Sequence, residues 1–155
     1  MENPLVSVII PSHNRFEGLL HALESVKKQS LTDYEVIVIN DGSDDERYLD
    51  YNFDIDVKVI HLKMNSVKEK GYFSDSIRNY GINKAKGKYI AFLDDDDYWF
   101  SNKLETQIDK LESLDLKMAC SEATSNYGFY DEQSENRLFN QQIVYKEISK
   151  IYKNS

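Results

Sequence analysis

Residues 89–97 read Tyr-Ile-Ala-Phe-Leu-Asp-Asp-Asp-Asp, five apolar or aromatic residues running straight into four aspartates. A short, continuously apolar run bounded by a polar cluster is the pattern of a strand covered on both faces. Four adjacent carboxylates at the end of such a strand pose an electrostatic problem. Neighbours ~6 Å apart repel by roughly 3 kcal/mol at an effective dielectric near 20. Without compensation one would protonate, or the loop would distort. A hard divalent cation, Mg²⁺ or Mn²⁺, removes the conflict. Such ions prefer oxygen ligands and are commonly held by one or two carboxylates plus substrate phosphate oxygens. Alternate residues of an extended segment point the same way, so Asp94 and Asp96 are expected to face one site. The plain alternative is a solvated acidic turn, and the following Tyr98-Trp99-Phe100 argues against it.

Upstream, the same pattern recurs. Leu5 to Ile10 (LVSVII) is a first buried strand, expected to stop at Pro11, which cannot donate to a ladder. From Arg15 to Gln29, Phe16, Leu19, Leu20, Leu23 and Val26 recur at helical spacing, with Asn14 or Ser12 as the cap. Glu35 to Ile39 (EVIVI) is a second buried strand. It ends in Asn40-Asp41-Gly42-Ser43-Asp44-Asp45, a turn signal followed by a helix start. Val57 to Leu62 is a third, more polar strand. Ser74 or Asp75 opens a helix carrying Ile77, Tyr80 and Ile82, which closes near Gly87 as the C′ glycine.

Downstream of the aspartates, Leu104, Ile108 and Leu111 mark another helix, with Ser101 as its cap. Leu116 to Ala119 is a candidate fifth strand, and Gln141 to Lys153 a final helix. Strand–helix alternation with short connections predicts an α/β domain, a Rossmann-like, mainly parallel sheet flanked by helices. Ligands bind such sheets outside the carboxyl ends of the strands. Ser12-His13-Asn14-Arg15, Asn40-Asp41-Gly42-Ser43 and Asp94 to Asp97 all lie at those ends. The fold would therefore gather three polar clusters along one edge.

Composition narrows the partners. The 155 residues suit one core, and 41% are hydrophobic, which excludes a wholly disordered chain. The net charge of −8 repels a phosphate backbone, so nucleic acid is not expected as a partner. A nucleoside diphosphate would be repelled too, unless a cation stood between. No apolar stretch approaches the ~20 residues of a membrane span, and Met1-Glu2-Asn3-Pro4 carries no signal-peptide pattern. The single cysteine, Cys120, fits a reducing cytosol and is expected as a small core residue.

The segments VSVIIPSHNR (6–15), DYEVIVINDGSDD (33–45) and IRNYGINKAKGKYIAFLDDDDYW (77–99) resemble the inverting, GT-A-fold family 2 glycosyltransferases in order and spacing. The likeness covers the first two-thirds of the chain. It implies transfer of a sugar from a nucleotide-diphosphate donor, UDP-linked in the first instance, to a glycan acceptor. The setting would be bacterial surface polysaccharide synthesis, with Mg²⁺ or Mn²⁺ as cofactor. It also implies a cytoplasmic protein whose full-length form works peripherally at the inner face of the membrane.

By the same resemblance Pro11, Ser12 and His13 would line the uridine pocket, and Asp41 would bind uracil or ribose. Arg78 falls at the arginine of the family's ARN-G motif and would contact the nucleotide. Asp94 and Asp96 fit the outer carboxylates of the DXD motif, Asp94 near ribose and diphosphate and Asp96 on the metal. Asp95 joins the donor-binding set, and a one-residue shift of the motif stays open.

The pattern departs from the family after the acidic run. Direct-displacement inversion needs a general base, and Glu122, Asp131 and Glu132 sit in no motif that marks one. Residues 1–120 therefore read as the nucleotide-sugar-binding core, and 121–155 as a partial acceptor-side segment of a longer enzyme. A non-catalytic donor-binding module that needs another chain is the alternative. A phosphatase of the haloacid dehalogenase type, which also places Asp-x-Asp after a strand, fits less well. Its motif ends the first strand, whereas this one ends the fourth.

Overall fold

A computed structural model describes residues 3–63 and 75–121. The elements, in chain order, are β1 (Val6–Ser12), α1 (Phe16–Lys27), β2 (Tyr34–Asn40), α2 (Arg47–Asp50), β3 (Val57–His61), α3 (Asp75–Ile82), β4 (Tyr89–Phe92) and α4 (Lys103–Ser113). The strands form one sheet in the order β3-β2-β1-β4 with every pair parallel. The expected α/β architecture is therefore present.

Alternation along the strands feeds two cores. Val6, Val8 and Ile10 with Val36 and Val38 face one side, where α1 contributes Phe16, Leu19, Leu23 and Val26 and α4 contributes Leu104, Ile108 and Leu111. Ile9, Ile37 and Ile39 face the other side and meet Ile77 of α3. Burial on both faces explains why β1 and β2 read as unbroken apolar runs.

β1 passes through Pro11 and ends at Ser12, pairing with β2 as far as Ser12↔Asn40. Proline is tolerated because ladder bonds alternate sides. Ser12 O accepts from Asp41 N (2.9 Å) on the β2 side, while Ile9 O accepts from Leu93 N (3.1 Å) on the β4 side. The missing N–H of Pro11 thus faces the β4 side, where pairing stops at Ile9↔Phe92.

The expected caps are replaced by longer-range partners. Arg15 occupies the position before α1, without a side-chain cap. The side chains of Ser12 and Asn14 bond elsewhere, to Asp95 and to the backbone N–H of Asp44. Ser101 does not cap α4. Buried Gln29 does that work from α1's end, its Oε1 accepting from Leu104 N (3.0 Å) and its Nε2 donating to Phe100 O (2.8 Å).

Gly87 is no helix terminus, since α3 ends at Ile82. A Cβ on Gly87 would lie 2.5 Å from Ser7 N, so glycine lets the entry to β4 press against β1. Residues 116–119 form no strand. Instead Leu116 N reaches back to Leu111 O (2.9 Å) and Asp115 adopts φ 50°, a left-handed helix ending of the Schellman type. Cys120 is exposed rather than in the core. The expected helix at 141–153, and Glu122, Asp131 and Glu132, lie outside the described residues.

Candidate functional site

The ends of β2, β1 and β4 lie side by side, and their loops are stitched together. Asn14 N donates to Ser43 Oγ (3.0 Å), Asp44 N to Asn14 Oδ1 (2.8 Å) and Ser43 N to Asn40 Oδ1 (2.9 Å). Asn14 (φ 51°) and Gly42 (φ 66°) take left-handed conformations in these two loops. Asp41 is buried beside them.

The acidic run is a tight turn, closed by Asp97 N donating to Asp94 O (3.1 Å), and not the extended segment expected from residue alternation. The carboxylates consequently splay. Asp95 points inward and is only 6% exposed. It accepts from Ser12 Oγ (2.7 Å), and Ser12 Oγ also lies 2.5 Å from Tyr48 Oη of α2. Asp96 points outward onto Arg15, whose Nη1 is 2.6 Å from Asp96 Oδ2 and 3.4 Å from Asp95 Oδ1. Asp94 pairs with Arg78 of α3. Gly18 allows α1 to abut the turn, for a Cβ there would lie 2.5 Å from Asp95 O.

Burial, first of all, raises the Asp95 carboxyl above its ordinary value, opposed by the Ser12 bond and the Arg15 charge. Asp97 is raised as well, by desolvation and then by the charges of Asp94 and Asp96. Asp95, then Asp96, hold the Arg15 guanidinium more firmly charged. Four aspartates meet two arginines, so the turn has an excess of acidic groups.

Among the described residues no group of three or more His, Cys, Asp or Glu could hold a metal unaided. A cation there would be held by one or two carboxylates and would draw the rest of its shell from substrate phosphates. Burial is the larger cause of the shift at Asp97, and an ion beside Asp94 and Asp96 would relieve the smaller, like-charge part. The outward carboxylates Asp96 and Asp94 are of the type that Mg²⁺ or Mn²⁺ takes, and each is engaged by an arginine that the ion would have to displace.

The fold brings together most of the residues singled out in the sequence. Ser12 touches Asp95, Arg78 touches Asp94, and the backbone of Asp41 bonds that of Ser12. Pro11 lies half-buried at the end of β1. His13 Nδ1 is buried with no hydrogen-bond partner among the described residues. Three participants escape sequence reasoning. Arg15 looks like one more loop cation, Tyr48 belongs to a four-residue helix with no periodicity to mark it, and Gly18 sits in an ordinary amphipathic pattern.

A family model described as "Glycosyl transferase family 2" matches residues 7–154. An uncharacterized glycosyltransferase of Rickettsia bellii is 44% identical over 110 residues, covering 69% of this chain and 15% of the relative. The Escherichia coli UDP-Glc:alpha-D-GlcNAc-diphosphoundecaprenol beta-1,3-glucosyltransferase WfgD is 33% identical over 156 residues, covering 97% of this chain and 57% of its own length. The chain therefore spans less than two-thirds of the length of each of these relatives.

Among solved structures, S. aureus TarS 1-349 in complex with UDP-GlcNAc superposes with a TM-score of 0.60 at 28% identity, covering 70% of this chain and 31% of TarS 1-349. The mannosyltransferase PcManGT of Pyrobaculum calidifontis, solved with GDP-Man and Mn²⁺, shares the fold at 19% identity and a TM-score of 0.59. It covers 72% of this chain and 33% of its own. With its parallel sheet, converging strand ends and match over residues 7–154, this chain has the GT-A fold and belongs to glycosyl transferase family 2.

Proposed function

We propose that the chain is the donor-binding part of a metal-dependent, inverting glycosyltransferase that takes a sugar from a nucleotide-diphosphate sugar, UDP-linked by preference. The acceptor would be a growing bacterial surface glycan. One observation carries this reading: Ser12, Asp41, Arg78 and the turn 94–97 converge on one edge of the sheet. The relatives support the donor class, since TarS is solved with UDP-GlcNAc and WfgD is named for UDP-Glc.

In this reading Pro11, Ser12 and His13 border the uracil, and the orphaned His13 Nδ1 is an atom a base edge would satisfy. Asp41 accepts from base or ribose. Arg78 is positioned by Asp94 to meet the nucleotide, giving directed positive charge in a site with an excess of acidic groups. Asp94 and Asp96 would hold Mg²⁺ or Mn²⁺, which supplies charge neutralisation for the departing nucleoside diphosphate. Asp95 sets the turn in place through Ser12.

A lipid-linked acceptor, as in the name of WfgD, would place the full enzyme at the inner face of the cytoplasmic membrane. Among the described residues no helix is long and apolar enough to cross that membrane. The general base is assigned to no described residue, and the short span relative to the relatives favours a base supplied by further chain.

Calorimetric titration of the protein with UDP, with and without Mn²⁺, tests the donor site. Binding that Mn²⁺ strengthens is expected; no binding under either condition removes the reading. Donor hydrolysis and transfer assays separate the transferase from a donor-binding module, which robust transfer by this chain alone would exclude.

A further inference from the structure

The two outward carboxylates of the turn are met by different arginines in different settings. Arg78 and Asp94 form a partly buried pair, with side chains 29% and 45% exposed. Arg15 and Asp96 are 59% and 60% exposed. The backbone of Arg15 is nevertheless fixed. Its N–H donates to Tyr48 Oη (3.2 Å) and its carbonyl accepts from Leu19 N (2.9 Å) in the first turn of α1. The exposed side chain lies over the oxygen atoms of Asp96 and Asp95.

A guanidinium and a divalent cation cannot both sit on Asp96 Oδ2 without strong mutual repulsion. Arg15 therefore stands on a carboxylate oxygen that a metal would use. A diphosphate changes the balance. It offers the guanidinium a fork-matched acceptor within the same edge and adds negative charge that attracts the metal. Because an exposed ion pair is weak, releasing Asp96 costs little.

We propose that Arg15 is an internal counter-ion that weakens the hold of Asp96 on divalent cations a few-fold and gives way when a nucleotide diphosphate binds, so that metal and donor binding are thermodynamically coupled through this side chain. The proposal rests on the donor-site reading above and adds a regulation of that site. It treats Arg15 as a positioning residue acting on Asp96.

The test is Mn²⁺ affinity, measured by calorimetry on the nucleotide-free and the UDP-saturated protein, for the native chain and for Arg15→Gln. In the nucleotide-free variant Mn²⁺ should bind about three- to fivefold tighter, the scale of an exposed ion pair. With UDP present its affinity should be unchanged or weaker, so the coupling ratio falls at least threefold. By linkage, the gain in UDP affinity conferred by Mn²⁺ must fall by the same factor.

Equal tightening in both states would make Arg15 mere background charge and overturn the proposal. Weakening in both would make it a brace of the turn and overturn the proposal equally. If the native chain binds neither Mn²⁺ nor UDP, the donor-site reading itself fails. That result is distinct from normal binding with an unchanged ratio, which refutes the counter-ion alone.

Discussion

The middle of the sheet and its carboxyl edge are built on opposite principles. In the middle, Val8, Ile9, Val36 and Ile37 are buried among apolar neighbours, and each side chain stabilises the fold. At the edge the chain leaves the ladder and concentrates Asp94 to Asp97 within one turn, where two carboxyls are pushed above their ordinary values. Such an arrangement is held in place by the rest of the structure, and strained polar clusters of this sort mark functional sites. On the proposed reading, stability and donor binding should therefore be separable by substitution.

The largest expected effect lies in the middle. Ile37→Ala should cost about 3 kcal/mol of stability, within the usual range for a buried isoleucine, and lower Tm by about 10 °C. Where the variant is still folded, UDP affinity should stay near that of the native chain. A thermal melt paired with calorimetry checks both parts, and a parallel loss of affinity would break the separation.

Gly18→Ala joins the two regions. The added methyl meets Asp95 O at 2.5 Å, so α1 or the turn must shift, at about 1–3 kcal/mol. Here Tm and Mn²⁺-dependent UDP affinity should fall together. A variant as stable as the native chain would show that the contact between α1 and the turn is slack.

Asp96→Asn acts on the edge alone. It should weaken Mn²⁺-supported UDP binding by at least about 10-fold, the cost of losing even a ligand's supporting partner, while leaving Tm nearly unchanged, because its ion pair with Arg15 is exposed. Weakening of metal-free UDP binding by the same factor would point to a role other than cation binding.

The smallest effect is also the most telling in sign. The folded-state pKa of Asp95 is raised above its unfolded value, so the cost of ionising it is absent below the unfolded pKa near 3.8 and fully present above the raised one. Asp95→Asn should therefore raise stability slightly at pH 7, with the gain fading as pH falls through that window. Melts at pH 7 and below pH 4 would show it, accompanied by weaker donor binding. Destabilisation at pH 7 would mean that the Ser12 and Arg15 contacts outweigh the burial.

The middle of the sheet was legible in the sequence because burial on both faces leaves a plain mark, as in VSVII and EVIVI. That the strand ends converge followed from parallel topology, and Ser12, Asp41, Arg78 and Asp94 lie along one edge. The internal layout of the turn was not legible. Whether Asp95 points inward depends on Ser12 and Arg15, about eighty residues earlier, and on Tyr48 behind them. No local spacing encodes such a contact. Local signals likewise misplaced the caps at Ser12, Asn14 and Ser101, because distant partners claim those side chains or, at α4, Gln29 satisfies the helix end. Residues 116–119 are apolar enough for a strand, but the left-handed Asp115 turns the chain back onto α4.

On the proposed reading, the acidic turn places a divalent cation against the nucleotide at the sheet's carboxyl edge. Paramagnetic broadening of backbone amide resonances, with Mn²⁺ titrated into the UDP-saturated protein, measures this directly. Early, selective loss of the amides of 12–15, 41–43 and 94–97 is expected, while those of α4 near Asp109 and Glu112 persist. Broadening that begins at α4, or spreads evenly over the acidic surface, would contradict it.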